Sequence, residues 1–256
     1  MEYALITGGT SGIGFELARN FAASGYGVII VSSSSERLQK ARQKLKDSYD
    51  VKVLEYQQDM RRIGAAAELY DRIKKNNINI SILVNNAGVG LVGRTDEIDL
   101  QHDEGMLILN IINLVELSKL FIADMYRQGS GRILNVASTG AFLPGPYTST
   151  YYASKAFVLS YSRAIRYEAR GKGIQVCTLC PGATKTEFFS REGVNVPRIA
   201  MTSEEVARYA YKRFMKNKEI IIPGIINKLQ ASRWVPVKLK MKIVENMKNQ
   251  KVKNQG

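Results

Sequence analysis

"ALITGGTSGIGFELAR", residues 4–19, runs from a short apolar stretch through a glycine-rich turn into a segment with helical periodicity. Its glycines stand at Gly8, Gly12 and Gly14, right after a candidate strand and right before a candidate helix. In that context Gly8 allows the tight turn, Gly12 lets the backbone approach a diphosphate, and Gly14 lets the helix pack on the sheet. A diphosphate would rest on the open N–H groups of the helix N-terminus. Thr10, Ser11 and Ile13 lie in the same turn and are read as further contacts. A purely structural turn is the plainer alternative, which the flanking strand and helix disfavour.

The alternation that starts there continues along the chain. "YALIT", "GVIIVS", "VKVLEYQ", "ISILVNNAG", "GRILNVAS", "GIQVCTLCPG" and "EIIIPG" read as strands. Between them lie helix-length segments, including Ile13 to Ser24, Glu36 to Lys46, Ala65 to Lys75, the long "MLILNIINLVELSKLFIADMY" and 203–216. Six or seven strand–helix alternations predict one α/β domain, a doubly wound parallel sheet with helices on both faces. Strands this apolar suit a sheet covered on both sides. The domain is read as residues 1–224, followed by a basic C-terminal extension, 225–256.

With 45% hydrophobic and 23% charged residues in 256, the composition is that of a soluble globule. Cys177 and Cys180, in "VCTLC", mimic a CxxC pair. On a strand, residues three apart point to opposite faces, and no second pair or nearby His completes a metal site. Both are read as buried reduced thiols, and no metal is expected. No export signal and no uninterrupted apolar run of about 18 residues is visible. The expected location is cytoplasmic. His102, the single histidine, is assigned to a helix surface with no chemistry.

Of the net charge of +14, residues from Arg208 onward carry 13 Lys/Arg against two Glu. The tail is read as a solvated basic face. A second reading is weak peripheral contact with an anionic membrane, because Trp234, Val235, Val237, Leu239, Met241, Ile243 and Val244 alternate with Lys238, Lys240 and Lys242. "VKLKMKI" alternates like a strand, whereas the rest reads as a basic amphipathic helix. No recognised nucleic-acid module accompanies the charge, and no nucleic-acid partner is expected.

The acidic residue that grips the ribose 2′-hydroxyl of NAD about 20 residues after such a turn is missing. "VSSSSERL", residues 31–38, stands there instead. Ser33, Ser34 and Arg37 offer donors for a 2′-phosphate, favouring NADP(H) over NAD(H). Glu36 and the lack of an arginine at 32–35 weigh the other way.

"TGGTSGIG" (7–14), "NNAG" (85–88), "NVAS" (135–138), "YYASK" (151–155) and "PGATKT" (181–186) occur in this order. Together they make the chain, from residue 1 to about 224, resemble the short-chain dehydrogenase/reductase family. The resemblance implies a single-domain Rossmann-type fold and an oxidoreductase that interconverts a ketone or aldehyde and an alcohol.

"YYASK" alone leaves open which tyrosine matters, since residues three and four apart both share a helix face. The family pattern, with a serine thirteen residues before the tyrosine, implies Tyr151 with Ser138 and Lys155. Asn110, on the long helix, completes the implied set. A free phenol with its pKa near 10 exchanges protons poorly at neutral pH, and a neighbouring lysine cation favours the phenolate. Tyr151 would act as acid/base, Ser138 would donate to the substrate oxygen, and Lys155 would also hold the nicotinamide ribose. Asn110 would bind an ordered water that relays protons to the lysine.

The resemblance further implies Asp59 and Met60 beside the adenine. Asn86, Ala87 and Gly88 would line its ribose, and Pro181, Gly182, Thr184 and Thr186 would face the nicotinamide. It implies a homodimer or homotetramer. The segment 184–205 is read as a substrate lid, with Phe188, Phe189, Val194, Val196 and Ile199 as apolar lining. With "GAFLPGPYTST" (140–150) it suggests an apolar substrate, steroid-like, acyl-chain or aromatic. Tyr147 and Tyr152 either line that pocket or simply pack. A rival reading is an NADP(H)-binding sensor or scaffold without turnover, which would be expected to lose the tyrosine or the lysine.

Overall fold

The computed structural model describes residues 1–188, 197, 200–232 and 236–253. Phe189, Val194, Val196 and Ile199 of the expected lid, and Trp234 and Val235 of the tail, lie outside the described residues.

Strands β1 (Tyr3–Thr7), β2 (Gly27–Ser32), β3 (Val53–Gln57), β4 (Ile80–Asn85), β5 (Gly131–Val136) and β6 (Ile174–Leu179) alternate with helices. These are α1 (Gly12–Ala23), α2 (Ser35–Ser48), α3 (Ala65–Lys75), α4 (Leu100–Leu107), α5 (Asn113–Gln128) and α6 (Ser149–Glu168). A two-stranded pair, β7 (Thr184–Lys185) and β8 (Met201–Thr202), leads into α7 (Ser203–Met215) and β9 (Ile220–Ile221). The chain then forms α8 (Ile225–Ala231) and α9 (Val237–Lys253).

The seven-stranded sheet has the order β3-β2-β1-β4-β5-β6-β9, and every pairing is parallel. This is the expected doubly wound sheet with seven strands. Side-chain alternation explains its two covers. Ala4, Ile6, Val28, Ile30, Val84, Leu134, Cys177 and Leu179 pack with Leu17, Phe21, Leu38 and Phe214 on one face. Leu5, Ile29, Leu83, Ile133 and Val176 pack with Leu69, Leu117, Phe121 and Met125 on the other. Removing this apolar surface from water is the main stabilising term of the fold.

Cys177 belongs to the first face, while Cys180 lies under α6 with Ala137 and Val158. Both are free and buried, and burial pushes their thiols up to about 11 and about 12. His102 is exposed on α4.

The helical stretch Leu100–Gln128 is long and apolar enough to cross a membrane, although Glu116 and Lys119 interrupt the apolar run. It packs instead as a core helix, with Leu117, Phe121 and Met125 against the sheet. Two of its buried polar residues, Asn113 and Asp124, are bonded to the rest of the protein. The Asn113 amide donates to the carbonyls of Met60 (2.7 Å) and Arg62 (2.9 Å) and accepts from the Ala66 N–H (3.0 Å). Asp124 is bonded by Tyr70, Lys74 and Arg127.

The tail also differs from a solvated face. Residues 237–253 are helical rather than extended, and Lys240, Val244 and Lys248 are buried. Four-residue spacing brings these three to one side of α9.

Candidate active site

The strand order reverses between β1 and β4, which opens a crevice at their carboxyl ends. A cleft of about 1430 Å³ lies there. That exceeds the roughly 300–1,000 Å³ of a typical small-molecule pocket, and it has room for a dinucleotide and a second molecule.

The glycine turn forms one wall. Gly8 (φ 64°) and Gly12 (φ 55°) adopt the left-handed backbone that side chains disfavour. Ser11 caps α1 through its backbone conformation alone, and no acidic residue occupies the first helical turn. The N–H groups there can receive an anion without a competing carboxylate. A Cβ on Gly14 would sit closer than 3.0 Å to the Gly8 carbonyl oxygen and the Asn86 amide. Only glycine at 14 lets the turn, the helix and β4 meet.

Asn86 ties this turn to β4 by donating to the carbonyls of Thr7 (2.9 Å) and Gly8 (3.2 Å). The Thr7 hydroxyl accepts from the N–H groups of Asn86 and Ala87, both at 3.0 Å. These cross-links hold the diphosphate cradle rigidly over the sheet.

At the adenosine end, Ser34 caps α2 by accepting from the Arg37 N–H at 3.3 Å, and Ser33 and Arg37 border the cleft beside it. Two features escaped sequence reading. The Arg37 guanidinium lies 3.3 Å from the Glu187 carboxylate. Asp59 accepts two bonds from the Arg61 guanidinium, both 3.1 Å, and one from the Arg61 N–H at 3.0 Å, and Arg61 holds its carboxyl below the usual range. Arg61 borders the cleft as a second cation, with Met60 alongside.

β5 delivers Ser138, whose Oγ caps a 3-10 turn (Thr139–Phe142) by accepting from the Gly140 N–H at 3.0 Å. With that lone pair occupied, the hydroxyl proton can point to a ligand oxygen. α6 places Tyr151 and Lys155 one turn apart. The Lys155 ammonium is buried, donates to the Val136 carbonyl at 3.0 Å, and lies 5.8 Å from the Tyr151 ring centroid. Burial pushes its pKa down to about 8, opposed by Cys180. Lysine normally titrates near 10.4, so the unfolded chain binds this proton more tightly than the folded one. The stability contribution of the group therefore rises from about pH 8 to about pH 10.5, by roughly 3 kcal/mol. Chemical denaturation across that window should show this rise in the native protein and its loss in K155M.

Asn110 stands apart from the other candidates. It is fully buried in a π-helical turn (Ile108–Ile112), behind the cleft wall rather than on it. Its amide donates to the Val89 carbonyl (3.0 Å) and the Ser154 hydroxyl (3.1 Å) and accepts from the Val89 N–H (3.2 Å). Ser154 in turn donates to the Tyr151 carbonyl at 2.6 Å. A Cβ on Gly88 would fall 3.1 Å from both the Asn110 oxygen and the Lys155 nitrogen. The asparagine and the lysine thus converge behind Gly88. π-Turns of this kind concentrate at functional sites.

Pro181, Gly182 and Thr184 border the cleft after β6, and Thr186 closes on Gly12, whose Cβ position is 3.0 Å from the Thr186 methyl. Thr10 and Ile13 border it as well, so the expected cofactor contacts surround one space, and Ser138 shares it. Tyr152 both lines the cleft and packs over Gly140 and Gly145. Tyr147 faces a smaller neighbouring recess instead. Phe188 lies 5.5 Å from Tyr151, ring to ring. Residues of α8 and α9, among them Ile225, Ile226, Lys240 and Val244, complete the wall.

Comparison with known proteins gives the family. The family model described as short chain dehydrogenase matches residues 2–195. The very-long-chain 3-oxoacyl-CoA reductase of Anas platyrhynchos is 31% identical over 76% of this chain, and the match spans 64% of that relative, under two thirds of its length. A short-chain dehydrogenase from Sphingobium yanoikuyae, solved in complex with NADPH, superposes with a TM-score of 0.83 at 31% identity, covering 88% of this chain and 89% of that one. The bulky-bulky ketone specific alcohol dehydrogenase from Comamonas testosteroni gives 0.80 at 29% identity, covering 91% and 92%. The chain belongs to the short-chain dehydrogenase family, nicotinamide-dependent oxidoreductases of carbonyl and CH–OH groups.

Proposed function

We propose that this protein is an NADP(H)-preferring oxidoreductase that interconverts an apolar ketone and its secondary alcohol, with Tyr151 as acid/base. The observation that carries this reading is the buried Lys155 ammonium, fixed by Val136 and facing the Tyr151 ring beside Ser138. A phenol gives up a proton more readily next to a cation held out of water. In reduction, Tyr151 passes its proton to the oxygen that becomes negative, and Ser138 donates a hydrogen bond to that same oxygen. Lys155 stabilises the resulting phenolate and hydrogen-bonds the nicotinamide ribose. Asn110, braced by Val89 and Ser154, orders the water through which the lysine exchanges its proton. Bound NADP(H) would lie with its diphosphate on the Gly12–Gly14 turn and supply or accept the hydride.

The 2′-phosphate preference rests on Ser33, Ser34, Arg37 and Arg61, all at the adenosine end of the cleft. Fluorescence titration should give a dissociation constant for NADPH about tenfold below that for NADH, and R37A should narrow the gap. Tighter binding of NADH would overturn the preference.

The apolar substrate is supported by Leu143, Phe188, Met201, Ile225 and Ile226 around the far end of the cleft. The relatives act on very-long-chain acyl and bulky ketone substrates by name. An aryl or long-chain ketone should surpass a small keto sugar in NADPH oxidation by at least tenfold in kcat/KM, roughly the worth of two buried methylenes. The reverse order would discard the apolar reading. A homodimer or homotetramer in the cytoplasm completes the proposal, and light scattering reads the assembly.

A further inference from the structure

The tail helix α9 presents its two sides to different spaces. Lys238, Met241, Lys242 and Glu245 line the smaller recess, where Asp96 and Glu245 offset the basic charge. Lys240, Ile243, Val244 and Lys248 line the main cleft. Both of the latter lysines are only 7% exposed.

Burying an ammonium beside apolar groups is costly unless an acceptor or counter-charge meets it. Lys240 donates to the Ser232 carbonyl at 2.5 Å. An ammonium carries three donors, so one such bond does not exhaust it. Among the described residues, the carboxylates that border the main cleft, Glu36, Asp59 and Glu187, are bonded to Lys40, Arg61 and Arg37 at the adenosine end. α9 lies at the other end, beside the loops that carry Leu143 and Tyr147. The apolar side chains of Leu143, Phe188, Ile225, Ile226 and Val244 line this same cleft, interspersed with Asn227, Gln230 and Asn246. One cleft thus holds a proton donor, a largely apolar group of side chains and a buried cation.

We propose that the substrate is amphiphilic, an apolar carbonyl compound carrying an oxyanion remote from the reacting carbon, and that Lys240 receives this group with Lys248 two helical turns away. This assignment rests on the oxidoreductase reading and narrows its substrate class. The basic tail then serves as part of the specificity pocket.

The test compares a straight-chain methyl ketone ending in a carboxylate with its methyl ester, using NADPH and the full chain. At low salt the ratio of kcat/KM, acid over ester, should be roughly tenfold or more, the worth of one charge-assisted hydrogen bond. It should shrink as salt is added. In K240Q, which keeps a donor for Ser232 but removes the charge, the ratio should approach one. K240R should restore it, and K248Q should lower it in part. Calorimetric binding of decanoate provides a readout without turnover, and its affinity should fall at least tenfold in K240Q. If both ketones are reduced with a ratio near one, or the ratio survives both K240Q and K248Q, the anion site is refuted while the oxidoreductase reading stands. If neither ketone is reduced but decanoate binding depends on Lys240, the anion site stands and the reading beneath it fails. A loss of NADPH affinity in K240Q equal to the loss for the acid would assign the lysine to the cofactor and overturn the proposal.

Discussion

Y151F should lower kcat/KM for ketone reduction by about 10²–10⁴-fold while leaving NADPH binding within a few-fold of the native value. General acid catalysis by a positioned side chain is worth about that factor, or roughly 3–5 kcal/mol of barrier. The substitution removes one oxygen and keeps the ring, so its contacts with Tyr152 and Phe188 can persist. Steady-state kinetics with a cofactor titration separates the two effects. A kcat/KM ratio near one would remove the phenol from the chemistry. Y152F is the paired control. That ring packs over Gly140 and Gly145, and its hydroxyl is given no proton to transfer, so the expected change is below tenfold.

G14A should damage cofactor binding and stability together. Its Cβ would press on the Gly8 carbonyl oxygen and the Asn86 amide, which are themselves bonded to one another. Overpacking of this sort costs about 1–3 kcal/mol, a fall in melting temperature of roughly 2–12 °C for a chain of this size. The displaced turn forms the diphosphate cradle, so the NADPH dissociation constant should rise on the order of tenfold or more. G105A gives the contrast. Gly105 lies inside α4 with nothing within 4 Å of its Cβ position. Alanine there should be neutral or stabilise by up to about 1 kcal/mol. Equal melting temperatures for G14A and G105A would show that the turn tolerates a side chain and would undo the packing argument.

Much of this was legible in the sequence because it is written locally. "YALIT", "GVIIVS" and "GRILNVAS" are short, apolar on both faces and bounded by turns or helices, which leaves little choice but buried parallel strands. Gly8 and Gly12 could be read because local backbone geometry, rather than a distant partner, demands glycine there. What depended on distant partners was hidden. Arg61 is two residues from Asp59 in sequence, but its position on the cleft follows from where the loop after β3 is tied to Asn113 of α5. Glu187 meets Arg37 only once the chain after β7 returns to α2. Asn110 was placed on a helix from the pattern, yet its seclusion behind Gly88 comes from a π-turn that no periodicity announces.

The tail shows the limit most clearly. In "VKLKMKI" the lysines alternate with apolar residues, which fits a strand or a solvated face by period alone. The helix of 237–253 selects a different set, Lys240, Val244 and Lys248, for burial. A lysine is expected to be exposed unless something pairs with it. Its burial follows from the cleft that α9 closes, which the tail's own sequence does not contain.

The most direct measurement supplies the protein with NADPH deuterated at the transferring position of the nicotinamide, together with an apolar ketone. The product alcohol is then analysed by mass spectrometry and NMR. A single deuterium on the carbinol carbon, formed by the native protein and depleted at least a hundredfold in yield with Y151F, is the predicted result. Alcohol formed without the label, or formed equally well without the phenol, would contradict hydride transfer under a lysine-tuned tyrosine.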